Sequence, residues 1–121
     1  MKKMLICDDD TMTTRVLEFQ FKRDGFEVLK ANSGREARKI LDENYDIDVL
    51  ITDIYMPSMN GLELITYVRQ TLQRNFPIVV VSQVNLEDNI VEALDLEADD
   101  YMTKPFNLEH LSQKVNQLLK R

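Results

Sequence analysis

Cysteine is nearly missing from this chain of 121 residues, with Cys7 its one example. No internal disulfide can form, and the place of Cys7 in an apolar run predicts a buried thiol in a reducing, cytoplasmic setting. Long apolar runs are missing too, because none approaches the ~20 residues that a membrane span needs. Met1-Lys2-Lys3 leads into the short apolar run Met4-Leu5-Ile6-Cys7, which is too brief for a signal peptide, so no membrane association is expected. Positive charge is scarce: the net charge is −6. Phosphate contacts need clustered Lys and Arg, so direct nucleic-acid binding by this domain is not expected. Repeats, low-complexity stretches and linkers are absent as well.

The scarcity of bases is local. From Val84 to Thr103 there are seven acids (Glu87, Asp88, Glu92, Asp95, Glu97, Asp99, Asp100) and no base. Arg35, Arg38 and Lys39 cluster elsewhere. Such runs serve either as solvated faces or as docking surfaces, and both readings stay open. The acid-rich segment suggests a basic partner surface.

What is present fits one soluble domain over residues 1–121: 44% hydrophobic and 30% charged residues, enough for a single core. Apolar strand-like runs alternate with amphipathic ones, which predicts repeated βα units around a parallel sheet with helices on both faces. The helices are expected over about 11–24, 34–44, 61–72, 86–96 and 108–119. Their inward stripes are Val16, Leu17 and Phe21 in the first, Ala37, Ile40 and Leu41 in the second, and Leu62, Leu64, Ile65 and Val68 in the third. Asp10, Ser33, Asn85 and Asn107 are the expected caps, and Asn60-Gly61 opens the third helix.

Each of four strand-like runs ends in a polar residue. Met4-Leu5-Ile6-Cys7 leads to Asp8-Asp9-Asp10, Val49-Leu50-Ile51-Thr52 to Asp53, Ile78-Val79-Val80-Val81 to Ser82, and Tyr101-Met102-Thr103 to Lys104-Pro105. Open parallel sheets bind ligands beyond the carboxyl ends of their strands, so these side chains should converge. Clustered carboxylates repel one another, and a divalent cation such as Mg2+ relieves that. Asp8, Asp9 and Asp53 with the Tyr55 carbonyl are the candidate ligands. Asp53 can attack a phosphoryl group, with Lys104 as a point charge and Ser82 as a hydroxyl donor.

These segments, together with Thr52-Asp53-Ile54-Tyr55-Met56-Pro57 and Ala98-Asp99-Asp100-Tyr101 through Phe106, resemble the receiver domain of two-component response regulators over essentially the whole chain. The resemblance implies a flavodoxin-like doubly wound (βα)5 fold with a five-stranded parallel sheet of order 2-1-3-4-5. It implies that Asp53 accepts phosphate from a histidine kinase or phosphotransfer protein with Mg2+ bound, and that the Lys104–Pro105 peptide is cis. Ser82 falls at the family's switching hydroxyl and Tyr101 at its rotating aromatic, whose ring would turn from solvent towards the core. A face of fourth helix, fifth strand and fifth helix would then control a downstream effector.

Three positions depart from the family pattern. Gln83 replaces a small residue and is expected to crowd the phosphoryl pocket or bond across it. Glu97 replaces a glycine, so the fourth helix is expected to end early or by another route. Tyr55 and Val84 cannot position water as an acid or amide could, which predicts slow autodephosphorylation. Beyond that self-directed chemistry no enzyme activity is expected. Two alternatives stand beside this reading: a degenerate receiver that only docks, and a haloacid-dehalogenase-type phosphatase using Asp8-x-Asp10. The second has Met12 where a small hydroxyl residue belongs. His110, on the last helix, reads as a solvated surface residue.

Overall fold

The computed structural model describes residues 1–120. Strands β1 (Lys3–Cys7), β2 (Glu27–Ala31), β3 (Val49–Thr52), β4 (Ile78–Ser82) and β5 (Asp100–Thr103) alternate with helices α1 (Thr11–Arg23), α2 (Gly34–Glu43), α3 (Gly61–Thr66), α4 (Glu87–Asp95) and α5 (Leu108–Leu119). All neighbouring strands are parallel, in the order β2-β1-β3-β4-β5. The flavodoxin-like (βα)5 expectation is met.

Successive strand residues face opposite sides of a sheet, so one sequence run feeds two cores. Leu5 and Cys7, Leu50, Ile78 and Val80 pack with Ala37 and Leu41 of α2, Leu64 and Ile65 of α3 and Ala93 of α4. Met4, Ile6, Val49, Ile51, Val79 and Val81 pack with Leu17 and Phe21 of α1 and with Leu111 and Val115 of α5. Burying each such side chain contributes roughly 1.5–3 kcal/mol, so polar residues are tolerated only where the runs stop.

Asp10 caps α1 by accepting from the Met12 amide at 3.1 Å, and Ser33 caps α2 from the Glu36 amide at 3.1 Å. Asn60 and Glu63 form a reciprocal capping box on α3, and Asn107 caps α5. Four expectations need correction. Val16 is 43% exposed: Thr14, Leu17 and Phe21 form the buried stripe of α1, and Val16 lies a quarter-turn away. Asn85 does not cap α4. The helix starts one residue later, on Leu86, whose carbonyl takes the Asn89 and Ile90 amides. The third helix reaches Leu72, but its last stretch, Tyr67–Thr71, loosens into a π-helical turn closed by the Leu72 amide on the Tyr67 carbonyl at 2.9 Å. Finally, α4 ends by the left-handed route after all, with Glu97 at φ 76°. The Ala98 amide bonds the Ala93 carbonyl and the Glu97 amide that of Leu94, which is the usual glycine closure made without glycine. Arg69 explains this, because its Nε donates to the Glu97 carbonyl at 3.0 Å and fixes it in place.

Candidate functional site

Strand register assembles the site. Cys7 lies opposite Thr52 in the β1–β3 pair, so the next residues, Asp8 and Asp53, emerge side by side. Ser82 lies opposite Thr103 in the β4–β5 pair, which sets Lys104 beside it. The Asp53 amide bonds the Cys7 carbonyl at 2.9 Å, and the Lys104 amide bonds the Ser82 carbonyl at 2.8 Å. Behind Asp53 the chain turns through Pro57, and the Gly61 amide returns to the Ile54 carbonyl at 2.6 Å. A side chain at Gly61 would collide with the Asp53 carbonyl, so this close approach needs glycine. The Lys104–Pro105 peptide is cis, as expected.

Lys104 Nζ donates to Asp8 Oδ2 at 2.7 Å and to Asp53 Oδ2 at 3.0 Å. Carboxylate oxygens of Asp8, Asp9 and Asp53 all lie within 4.8 Å of one another. Asp8 also accepts the Asp10 amide at 2.9 Å, and Asp53 accepts its own neighbour's amide, from Ile54, at 2.6 Å. Three carboxylates thus face one ammonium. Burial holds the Asp8 carboxyl above its ordinary range, although the bonds from Lys104 and Asp10 pull it down. Burial also acts to lower Lys104, but its bonds to Asp8 and Asp53 outweigh that and leave it raised. An all-oxygen, net-anionic donor set of this kind fits a hard divalent cation such as magnesium.

Ser82 is buried, and its Oγ accepts the Val84 amide at 3.1 Å. The Tyr101 hydroxyl donates to the Val84 carbonyl. The Tyr101 ring is half-buried and packs on the core beneath α3 and α4, so it already stands inward and does not have to travel from solvent. Burial raises its phenol above the ordinary value. Val84 therefore joins hydroxyl and ring through its backbone, a role that side-chain patterns could not reveal. Gln83 is exposed and its amide makes no hydrogen bond among the described residues, so it does not bond across the pocket. Tyr55, 64% exposed, stands on the loop after Asp53.

Other neighbours were not foreseen. The Thr52 hydroxyl donates to the Asp53 carbonyl at 2.8 Å, bracing the strand end. Cys7 is buried as expected, with its thiol pushed up to about 12 by burial and its Sγ 3.1 Å from Met56 Sδ. Its buried thiol belongs to the core beneath the site. His110 is exposed on α5, away from these groups in sequence, and its backbone amide donates to Asn107 Oδ1 at 2.9 Å.

Fold and site together define an α/β domain with an acid–lysine constellation at the carboxyl edge of its sheet. The sequence matches the response regulator receiver domain family over residues 4–116, and the chain belongs to that family. It is 36% identical over 121 residues to the transcriptional regulatory protein CpxR of Escherichia coli (strain K12), covering 100% of this chain and 50% of that protein. The chain thus spans about half the length of the curated relatives it matches. Among solved structures it resembles a two-component response regulator from Clostridium difficile, with a TM-score of 0.94, 30% identity and coverage of 100% of this chain and 98% of that one. It also resembles the CheX–CheY–BeF3–Mg2+ complex from Borrelia burgdorferi, with a TM-score of 0.90, 26% identity and coverage of 97% and 88%. Membership assigns phosphorylation-based signalling by a receiver domain that is not a conventional enzyme. Neither the phosphatase nor the docking-only alternative finds support in these relatives. No helix among the described residues is long and apolar enough to cross a membrane.

Proposed function

We propose that Asp53 is the phosphoacceptor of a cytoplasmic phosphorelay, taking its phosphoryl group from a phosphohistidine on a kinase or phosphotransfer protein. The observation that carries this is the bridge of Lys104 from Asp8 to Asp53, with Asp9 in ligand reach. Asp8, Asp9, Asp53 and the Tyr55 carbonyl would hold Mg2+, which supplies charge neutralisation for phosphoryl transfer when bound. An Asp53 oxygen attacks phosphorus. The new O–P bond makes an acyl phosphate, and the breaking P–N bond leaves its electron pair on the donor imidazole.

Lys104 is placed to exchange its carboxylate bond for a phosphoryl oxygen. Ser82 does the same by turning its hydroxyl from the Val84 amide. Because Val84 also holds Tyr101, that exchange bears on the ring and on the α4-β5-α5 face, which a downstream effector reads. Phosphorylation biases the two arrangements only by its different contacts in each. Tyr55 and Val84 carry no group to activate water, so autodephosphorylation is slow. Loss of the phosphoryl group within seconds, with no partner added, would overturn that part.

The test is intact mass after incubation with magnesium and acetyl phosphate, for wild type and Asp53→Ala. One phosphoryl group gained by the wild type and not by the variant, and lost when magnesium is chelated, supports the reading. Label that survives Asp53→Ala and depends on Asp8 overturns it.

A further inference from the structure

The outward side of α4 carries a surface that the phosphorylation chemistry does not use. Leu86, Val91 and Leu94 are 65%, 47% and 44% exposed. At 100° per residue, Val91 and Leu94 share a strip with Glu87, and Asp88, Glu92 and Asp95 stand next round the helix. All four acids are exposed and none has a cationic partner among the described residues. Some acids elsewhere are paired, as Glu18 is with Lys22 and Lys30 at 2.9 Å each and Asp46 with Lys3 at 2.8 Å, whereas the α4 acids stand together beside exposed apolar side chains. Acids interleaved with exposed apolar side chains give this strip the complement of a basic, amphipathic surface.

We infer that this face docks a cationic amphipathic helix of another protein, whose apolar side covers Val91 and Leu94 while its Lys or Arg residues meet the acids. This rests on the proposal that α4-β5-α5 is the output face, and it names the chemistry of the partner. A second copy of the chain does not fit in a two-fold arrangement, because acids would meet acids. Lys114 of α5 is bonded to Asp100 at 3.3 Å, and Arg69, which reaches the end of α4, to Asp99 at 3.1 Å. Nucleic acid and anionic lipid are repelled by the same charges.

The experiment uses a fluorescent amidated peptide of repeated Leu-Lys-Lys-Leu units, titrated by anisotropy at about 0.15 M salt, where only close charge pairs survive screening. Glu87→Gln, Asp88→Asn and Glu92→Gln together should weaken binding roughly tenfold, the combined effect of three exposed ion pairs. The same charge change at Glu27, Glu36 and Glu43 should leave it within about twofold, since those sites then add only long-range attraction. Val91→Ser with Leu94→Ser should weaken binding at every salt concentration. Equal loss from both charge-triple variants would reduce the effect to net charge and overturn the inference. So would concentration-dependent self-association relieved by the α4 variants. Phosphorylation of Asp53 is followed in the same samples. Label without α4 binding sinks the docking surface alone, whereas α4 binding without label sinks the switch alone.

Discussion

Lys104 and Arg69 are both mostly buried cations bonded to aspartates, with side chains 13% and 7% exposed, but their surroundings differ in kind. Arg69 meets Asp99 at 3.1 Å, and its other nitrogens donate to the carbonyls of Glu97 at 3.0 Å and Arg74 at 2.8 Å. Asp99 in turn accepts the Ile78 amide at 2.8 Å. That cluster pairs a cation with an anion and ties the starts of β4 and β5 to the end of α4. Around Lys104, two carboxylates share one ammonium, and a third, from Asp9, lies within 4.8 Å of them. One arrangement is a fastener; the other is left short of positive charge, as the proposed cation and phosphoryl chemistry requires. The same residue types build either, and the ratio of charges decides which.

Removing a member should therefore act with opposite sign in the two clusters. Arg69→Ala leaves a largely buried carboxylate without its guanidinium and should cost about 3–5 kcal/mol in urea unfolding. A loss below about 1 kcal/mol would mean that the pair behaves as an exposed one and that the contrast is unfounded. Asp9→Asn removes a repulsion, and without magnesium it should stabilise by about 1 kcal/mol. Magnesium at a hundredfold excess over its Kd should raise wild-type stability by about 2.7 kcal/mol, and most of that gain should vanish in Asp9→Asn. In Arg69→Ala the magnesium gain should persist in full, because the clusters share no residue.

A smaller effect probes the fastener from its backbone side. Arg69 holds Glu97 by its carbonyl, so Glu97→Gly keeps that bond and relieves a left-handed residue at φ 76°. The strain released, about 1–2 kcal/mol, is partly offset by the extra freedom of glycine in the unfolded chain. A net gain of about 0.5–1 kcal/mol in thermal unfolding is expected. A loss would show that the Glu97 side chain, and not its backbone, matters to the end of α4.

The two clusters were not equally legible. Asp8, Asp53, Ser82 and Lys104 each follow an apolar run that can only be a covered strand, and parallel register then forces them together. The Arg69–Asp99 pair spans 30 residues with no local signature. Asp99 read as one more acid in an acid-rich stretch, and Glu97 as a residue that should divert the helix. Both depend on a side chain delivered from another helix at a π-helical turn. The start of α4 was missed for a related reason: Asn85 has the right chemistry, but the backbone bonds begin at Leu86. Tyr101 was legible as a residue and not as a position, because its hydroxyl is held by the Val84 backbone.

The finest test of the contrast is a slope. Burial raises the Asp8 carboxyl above 3.8, so the folded chain keeps a proton that the unfolded chain has released. The stability owed to this group is therefore full below 3.8 and is lost as pH rises through the raised folded value. In magnesium-free buffer, Asp8→Asn should be the more stable protein at neutral pH, and its advantage should shrink as the solution is acidified through that window. Glu18 and Asp46, whose lowered values reflect their bonds to Lys22, Lys30 and Lys3, make both proteins lose stability in acid and cancel in the difference. An advantage that grew on acidification would mean that Lys104 over-compensates the burial of Asp8. The site would then be a balanced fastener like the one at Arg69, with no deficit for a cation to fill.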